Sequence, residues 1–400
     1  MASLRQLYLD NVGQTSELPL LLEIDHAEGM YIYDKNGKRY LDLNSGISVS
    51  SLGHCHPQVI KALRDQSEKY LHTMVYGEHV HTPQVKFAEL LLSRLDDVYE
   101  RVYYLMSGTE AVELGMKIAK RYTGRYELIS CQNAYHGSTQ GAETLRSDLE
   151  YKSSYFPMIP GVKHIRFNHH DDLSKINEDT AGVIIEAVQA EAGIIPPDNS
   201  FLKALQKRCK EMGALFILDE IQTGFGRTGK LFAYQKYNIL PDLILIGKAM
   251  GGGMPIAGVV GSKELMNTII KNPALGHITT FGGHPMSCTA AHASLETLLE
   301  DNYIDTVLAK EKLIKNMLRH EIIKEVRSSG LMMAVELTKR KFLKHVVNYT
   351  IENGALIDYF LFNDRSFRLA PPLIISEEQI KEGCQILLKA MDYAKEKYRK

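Results

Sequence analysis

The hydrophobic pattern of the central part of the chain predicts a parallel α/β sheet. From about residue 101, short apolar runs alternate with stretches of helical periodicity; the runs are VYYLM, ELIS, GVIIEAV, ALFIL and LILIG. Apolar runs without polar alternation are typical of strands covered on both faces, and their alternation with helices is typical of a parallel sheet. In such sheets, ligands lie at the carboxyl ends of the strands.

Two of the helices between these runs are well marked. One is predicted from about Glu110 to Tyr122 and ends at Gly124. The other, FLKALQKRCKEM, has on one face Phe201, Leu202, Leu205, Cys209 and Met212, and is followed by Gly213. Glycine is common just past a helix end because it adopts left-handed backbone angles without strain.

The two ends of the chain follow other patterns. Asn36-Gly37 stands between two alternating runs, which predicts a β-hairpin. After about residue 290 come a long helical stretch, the strand candidates LMMAVEL and SFRLAPPLIIS, and a closing helix with Ser376 and Gln379 as a capping box. We therefore predict a large domain over 52–290 and a smaller α+β domain over 291–400, with the N-terminal segment 1–51 belonging to the small domain.

Composition restricts the partners and the location. The 400 residues contain 47 basic and 48 acidic side chains and no long run of like charge, so neither nucleic acid nor an anionic membrane surface is favoured. The five cysteines are scattered without a C-x-x-C pair, which predicts reduced thiols. Without a signal-peptide pattern or a run of about 18 apolar residues, we expect a cytoplasmic protein.

A glycine-rich loop resembles a nucleotide-binding loop but lacks its context. The segment Gly224 to Lys230 fits G-x-x-x-x-G-K. However, Leu231 stands where a magnesium-binding Ser or Thr is needed, and the loop does not start at the end of the strand ALFIL. We therefore do not expect nucleotide binding.

A lysine and an aspartate at neighbouring strand ends form a better candidate site. Asp219 follows ALFIL directly. Lys248, which is 29 positions after Asp219, follows LILIG directly. A poorly hydrated lysine has a lowered pKa and attacks carbonyl groups as the free amine. A carboxylate nearby could hold a pyridinium nitrogen protonated, as pyridoxal phosphate (PLP) requires. The alternative is a buried structural ion pair.

PLP also needs a phosphate site and a surface for its ring. Ser107, Gly108 and Thr109 form a strand-to-helix turn whose free N–H groups attract an anion, although Ser107 and Glu110 could simply be a capping box. Tyr135 offers an aromatic face, but a single Tyr beside a strand is often a core residue.

Other polar residues are ambiguous by themselves. The histidines at 54–56 and 169–170 lack a third ligand at suitable spacing, so we expect no metal site. Arg368 lies in an apolar segment, where it could form a structural pair or bind a substrate carboxylate.

Taken together, these blocks resemble the class III (ω-amino acid) aminotransferases, PLP enzymes of fold type I that include the acetylornithine, ornithine and 4-aminobutyrate aminotransferases. The most specific part is LDEIQTGFGRTG followed after a spacer by PDLILIGKAMGGG, which is similar to the PLP-lysine signature of the family. Further blocks that resemble the family are GHCHP, SGTEA, AYHG, TTFGGHP and FRLAPPL. The glycine-rich loop is part of that signature.

The resemblance implies roles for the cofactor-binding residues. Lys248 would hold PLP covalently and move the proton, while Asp219 would face the pyridine nitrogen and Gln222 the phenolic oxygen. Tyr135 would stack on the ring. The phosphate would be held at the turn of Ser107, Gly108 and Thr109, and Thr280 would reach it from the neighbouring subunit of a homodimer with shared active sites.

The resemblance also implies how two unlike substrates share one site. Arg368 would bind the α-carboxylate of glutamate or 2-oxoglutarate, and Glu191 would cover it while an ω-amine donor is bound. Around Glu191 the chain departs from the family pattern, with Ala187 and Ala190 where Pro and Gly are usual. We expect a ping-pong transaminase; an aminomutase, racemase or decarboxylase of the same fold, and a 4-aminobutyrate or lysine ω-aminotransferase, are the alternatives.

A second departure concerns the donor. The acetylornithine and ornithine branch has an Arg after the AYHG-type sequence to bind the donor's α-carboxylate, and this chain has Ser138. A hydroxyl cannot replace a bidentate guanidinium. The ornithine or N-acyl-ornithine class remains the expectation for the donor, with Arg146 as a candidate substitute.

Overall fold

The computed structural model describes residues 3–198 and 200–398 and contains, within those ranges, three sheets. The strands are β1 (Ile24–Glu28), β2 (Tyr31–Asp34), β3 (Arg39–Asp42), β4 (Arg101–Leu105), β5 (Glu127–Cys131), β6 (Val162–Ile165), β7 (Thr180–Glu186), β8 (Leu215–Asp219), β9 (Leu243–Ile246), β10 (Ala257–Gly261), β11 (Ile323–Ser328), β12 (Met333–Leu337), β13 (Ala355–Leu356), β14 (Asp358–Tyr359) and β15 (Ser366–Leu369).

Helices cover the sheets and fill the ends of the chain. The α-helical segments are α1 (Leu4–Asn11), α2 (Ser45–Ser48), α3 (Pro57–Ser67), α4 (Thr82–Leu92), α5 (Gly108–Thr123), α6 (Gln140–Thr144), α7 (Phe201–Met212), α8 (Ala233–Tyr237), α9 (Lys263–Met266), α10 (Pro285–Glu300), α11 (Tyr303–Met317), α12 (Leu343–Glu352) and α13 (Glu377–Lys397). None of the described helices is long and apolar enough to cross a membrane.

The central sheet confirms the predicted parallel α/β arrangement. Its order is β4-β10-β9-β8-β7-β5-β6, and the five strands from β9 to β6 in this order pair in parallel with one another. Strand β10, which the sequence pattern did not predict, lies antiparallel between β4 and β9. Its glycines explain the omission: Gly258 leaves room for Val102, to which an added Cβ would approach within 3.1 Å.

The predicted helices of this region are present. Helix α5 ends at Gly124, whose φ of +69° is the left-handed conformation that favours glycine, and α7 ends in the same way at Gly213. Most of the predicted apolar face of α7 is buried, whereas Met212 is half-buried.

The remaining two sheets join distant parts of the chain. The hairpin at Asn36-Gly37 connects β2 and β3 as predicted, and β3 also pairs in parallel with β13 near the other end of the chain. The second small sheet has the order β11-β12-β15-β14, and Ser376 caps α13. The domain boundaries at 51 and 290 stay a prediction.

Candidate active site

A cavity of about 460 Å³ opens where the central strands end. Asp219 terminates β8, Glu186 terminates β7, and Lys248 follows β9 after one glycine. The residues that line the cavity come from the strand ends, from the loops beside them and from the first turn of α5: Gly108, Thr109, Tyr135, His136, Gly137, Ser138, Thr139, Glu186, Val188, Ala190, Glu191, Asp219, Ile221, Gln222, Thr223 and Lys248. Parallel pairing of β7, β8 and β9 therefore brings polar residues from separate parts of the chain into one cleft.

Asp219 is buried and paired with a histidine. Its Oδ2 lies 2.7 Å from Nδ1 of His136, and its Oδ1 accepts from the backbone N–H of Ile221 at 3.0 Å. Burial by itself lowers the pKa of His136, but the hydrogen bond and charge of Asp219, together with Glu186, raise it overall. The imidazole is thereby held as a partner of the carboxylate.

Lys248 presents its amine to the same cavity. It has a φ of +46°, an uncommon conformation for a residue other than glycine, in a short 3-10 turn directly after β9. Burial lowers the pKa of its amine, and the charges of Asp219 and Glu191 only partly oppose that effect. The lowered pKa favours the nucleophilic free amine.

Two polar atoms on the cavity wall lack a hydrogen-bond partner among the described residues. They are Oε1 of Gln222 and Nε2 of His136, and both are buried. Buried polar atoms are normally paired, so an unpaired one at a cavity wall indicates a ligand that pairs with it.

The first turn of α5 forms one end of the cavity. Glu110 accepts from the backbone N–H groups of Met106 and Ser107, so Ser107 is used in the cap and does not line the cavity. Gly108 lies so close to Ile221 that an added Cβ would be 2.9 Å from its side chain. The N-terminal N–H groups and dipole of this 16-residue helix attract an anion to Gly108 and Thr109.

The loop that contains Thr139 faces this end of α5. The Thr109 and Thr139 hydroxyls are 2.7 Å apart, and Thr139 donates to Glu113 at 2.6 Å. The same carboxylate oxygen of Glu113 accepts from the backbone N–H groups of Gly141 and Ala142. Glu113 therefore fixes the loop that holds Thr139 at the cavity.

An arginine and a glutamate close another side of the site. Nη2 of Arg368 donates to Oε1 of Glu191 at 2.5 Å, and both side chains are buried. Glu191 lines the cavity and Arg368 does not, so the carboxylate stands between the guanidinium and the open space. The Phe360 ring lies 4.7 Å from the guanidinium carbon, while Nε and Nη1 have no partner among the described residues.

Ser138 and Arg146 do not provide a free arginine on the donor side. The Ser138 hydroxyl is 3.2 Å from that of Tyr135. Arg146 is 4% exposed and pairs with Glu143 at 2.9 Å and with Asp148 at 3.1 Å. Its charge is already balanced by two carboxylates.

Thr280 lies apart from the other predicted residues. It is exposed and is absent from the cavity wall. Thus the structure brings together Gly108, Thr109, Tyr135, Glu191, Asp219, Gln222 and Lys248 on the wall, places Arg368 directly behind it, and leaves Ser107 and Thr280 off it. Within the described ranges no group of three or more His, Cys, Asp or Glu side chains could hold a metal ion.

Two residues of the site, His136 and Glu186, were not given a role from the sequence. His136 stands in the quoted AYHG block, where a histidine one position from a predicted ring-stacking residue was a usable signal. Glu186 ends β7, and burial raises its pKa to about 8 even though it accepts backbone N–H groups from Tyr135 and Ala190. Its position at the carboxyl end of a buried strand was the available signal.

Comparison with known proteins agrees with this geometry. Residues 12–391 match the model of the family described as aminotransferase class-III. The chain is 37% identical over 367 residues to the acetylornithine aminotransferase of Archaeoglobus fulgidus, covering 91% of this chain and 94% of that protein. It is 38% identical over 325 residues to the [LysW]-aminoadipate semialdehyde/glutamate semialdehyde transaminase of Sulfurisphaera tokodaii, covering 79% and 82%.

The fold is similar to that of a solved structure over nearly the whole chain. An ornithine aminotransferase from Toxoplasma gondii, whose active site holds PLP at partial occupancy, superposes with a TM-score of 0.90 at 29% identity. The superposition covers 99% of this chain and 95% of that one.

Proposed function

This chain belongs to the class III aminotransferases, so it is a PLP-dependent transaminase of fold type I, and we propose which substrates it uses. The donor is an ω-amine of the ornithine or N-acyl-ornithine class, and the acceptor is 2-oxoglutarate, which becomes glutamate. The observation that carries this proposal is the closed Glu191–Arg368 pair beside Lys248.

The residues of the cavity fit PLP. The unpaired Oε1 of Gln222 is available to a ring substituent, and the end of α5 with Gly108 is suited to a phosphate. Asp219 and Lys248 lie at adjacent strand ends with Tyr135 on the same wall. We therefore propose that these five residues, together with Thr109, hold the cofactor.

Each polar residue has a definite task in the reaction. When bound, PLP would supply an electron sink for the electron pair left when a proton departs from the carbon that bears the transferred amino group. The Lys248 amine would accept and return that proton, because its lowered pKa keeps part of it unprotonated. Asp219, which is held by His136, would stabilise a proton on the ring nitrogen of the cofactor.

The Glu191–Arg368 pair lets one site take two different substrates. While the pair is closed, the positive charge of Arg368 is neutralised and an ω-amine substrate meets no free guanidinium. A substrate with an α-carboxylate replaces Glu191 and pairs with the guanidinium, whose Nε and Nη1 are unused. A dual-substrate transaminase needs this exchange, whereas a mutase, racemase or decarboxylase does not.

We propose a homodimer with shared active sites and a cytoplasmic location. Thr280 is exposed next to the exposed apolar residues Ile278 and Phe281, as expected of a segment that reaches into a neighbouring subunit. The free thiols of all five cysteines fit a reducing compartment. Sedimentation of the PLP-loaded protein as a monomer at micromolar concentration would contradict the shared sites.

One observation keeps a second donor class open. Ser138 carries no charge and Arg146 is already paired with two carboxylates, so the donor side has no free arginine for an α-carboxylate. A donor that does not need such an arginine, 4-aminobutyrate or lysine, is therefore the alternative.

The decisive experiment is a donor panel with 2-oxoglutarate as acceptor. It contains ornithine, N-acetylornithine, N-succinylornithine, lysine and 4-aminobutyrate, with glutamate formation as the readout. Highest kcat/KM for an ornithine-type donor supports the proposal. Highest kcat/KM for lysine or 4-aminobutyrate establishes the alternative, and no glutamate from any donor, with a positive racemase or mutase assay, overturns transamination.

A further inference from the structure

The glycine-rich loop between β8 and α8 contains a buried arginine that the cofactor chemistry does not use. Arg227 is 0% exposed. Its guanidinium touches no carboxylate in the described ranges, and burial lowers its pKa to about 9, with Asp42 as the opposing charge. Burying a guanidinium without a carboxylate is costly, so its contacts call for an explanation.

The guanidinium joins three separate segments of the chain. Nη1 donates to the carbonyl oxygens of Leu331 at 3.1 Å and Pro371 at 2.5 Å. Nη2 donates to the hydroxyl oxygens of Ser51 at 3.1 Å and Ser45 at 3.4 Å. One planar fork therefore fixes the N-terminal segment and two places in the C-terminal region against the loop.

Two of these contacts flank the strands that carry Arg368. Leu331 lies just before β12, and Pro371 lies just after β15. In the ladder between these strands, Ala334 is paired with Arg368. Arg227 thus holds both strands at the end of the ladder, close to the substrate-binding guanidinium.

The loop backbone strengthens the same contact. The carbonyl oxygen of Arg227 accepts from the N–H of Leu331 at 3.0 Å. Gly330 has a φ of +65° and packs so tightly that an added Cβ would be 2.4 Å from that oxygen. Both the backbone and the side chain of Arg227 are therefore fitted to the 330–331 turn.

The other end of the loop is fixed to the cofactor side of the site. Glu220, the residue after Asp219, is fully buried and accepts from Thr223, from Ala233 at 3.0 Å and from Tyr234 at 2.7 Å. These bonds anchor the loop to the end of β8. The loop is thus fixed at one end to β8 through Glu220, and at Arg227 to the strands that carry Arg368.

A left-handed turn is held at the same junction. Residues Ser45 to Ser48 have φ values between +48° and +63°, which are unfavourable for residues other than glycine. The Ser45 hydroxyl, which accepts from Arg227, donates to the carbonyl of Ala370 at 2.6 Å. Strain of this kind persists where surrounding contacts over-determine the backbone.

We propose that Arg227 is a positioning residue that sets the distance between Arg368 and the cofactor-binding residues Asp219 and Lys248. This inference rests on the proposed function, because Arg368 is the group it positions for the α-carboxylate. Without the Arg227 guanidinium, the paired strands β12 and β15 can shift relative to the glycine-rich loop. The half-reaction with glutamate then suffers, whereas the half-reaction with an ω-amine donor, which does not use Arg368, is spared.

The test compares Arg227→Gln with wild type in single-turnover half-reactions of the PLP-loaded enzymes, normalised to bound cofactor by absorbance. We expect kcat/KM for glutamate to fall at least about 10-fold, since displacement of a binding group by about 1 Å costs up to about 100-fold. For the best ω-amine donor we expect a change below about 2-fold. Arg227→Lys, which keeps one donor group, should fall between wild type and Gln.

Two controls separate this role from general destabilisation. Lys230→Gln changes an exposed residue of the same loop and should leave both half-reactions unchanged. Ser51→Ala removes one acceptor of the fork and should give a smaller change in the same direction, which keeps the test valid if Arg227→Gln does not fold. Equal loss in both half-reactions, or no loss in either, overturns the proposal.

A crystal structure of the PLP-loaded Arg227→Lys enzyme gives a readout besides activity. Displacement of the Arg368 guanidinium relative to Asp219 supports the positioning role, and an unmoved guanidinium contradicts it. If wild type itself transaminates no donor of the panel, the proposed function fails, while this structural readout still decides whether Arg227 positions Arg368.

Discussion

Replacing Glu191 by Gln is predicted to strengthen glutamate binding. In the resting site, Oε1 of Glu191 occupies Nη2 of Arg368 at 2.5 Å, so an incoming α-carboxylate must first displace it. The other oxygen of Glu191 accepts from the N–H of Leu361 at 3.1 Å, a bond that the amide oxygen of Gln can retain. The substitution therefore removes the competing charge without removing the anchor of the loop.

The size of the effect follows from the pair that is broken. A hydrogen bond between charged groups contributes about 1.5–3 kcal/mol, which corresponds to roughly 10- to 150-fold in an equilibrium constant. A site whose binding-competent form is only partly populated loses affinity by that fraction. Because the Gln amide still obstructs the space, we expect the lower end, a decrease of about 10-fold in the apparent Kd of glutamate.

The assay is the concentration dependence of the single-turnover reaction with glutamate, followed by the absorbance of the cofactor. The ω-amine donor is measured in parallel, and the ratio of the two specificities should shift toward glutamate. Glu382→Gln is the matched control, because Glu382 pairs with Arg39 at 3.2 Å on the surface and should change neither reaction. An unchanged or raised apparent Kd for glutamate in the Glu191 variant would refute the reasoning.

Three further predictions concern the other polar groups. Lys248→Ala should lower kcat at least about 100-fold in steady-state assays because the proton has no acceptor, whereas Lys230→Ala, in an exposed position, should retain activity. Burial raises the pKa of Glu186 from 4.5 to about 8, so the folded state holds that proton more tightly. Its stabilising contribution is full below about pH 4.5 and is lost as the pH rises through about 8. In urea unfolding of the cofactor-free protein, the stability of Glu186→Gln relative to wild type should therefore increase by about 2–5 kcal/mol across that pH range. A stability difference that does not change with pH would contradict this. His136→Phe leaves Asp219 buried without its ring partner and should cost about 3–5 kcal/mol of unfolding free energy, with His136→Asn losing less; equal stability of the three proteins would argue against the pairing.

The local sequence pattern was sufficient to predict features that depend on a single strand or helix. Helix α5 has an apolar face and a terminal glycine, and both Asp219 and Lys248 stand at the ends of buried apolar runs. Because parallel strands end on one side of a sheet, adjacency of the two residues could be predicted without coordinates. Strand β10 was missed because its glycines, which make room for neighbouring side chains, resemble a turn in the sequence.

Contacts between distant segments could not be predicted in this way. Two acceptors of Arg227 lie 104 and 144 residues further along the chain, the other two lie 176 and 182 residues before it, and no periodicity connects them. The glycines of the loop are visible as a pattern in the sequence, whereas the contacts of its buried arginine are not. The same holds for Arg146: the sequence shows a charge near the donor side, but not that Glu143 and Asp148 already neutralise it.

In the proposed function, the ion pairs of Arg368 and Arg146 decide which of the two arginines binds a substrate carboxylate. Arg368 has one carboxylate partner and two unused nitrogens, so a substrate carboxylate displaces one charge and gains further donors. Arg146 has all three guanidinium nitrogens engaged by Glu143 and Asp148, so a substrate there would have to displace two carboxylates for the same gain. We therefore propose that the α-carboxylate of the 2-oxo acid binds Arg368 and that the donor is not bound through Arg146.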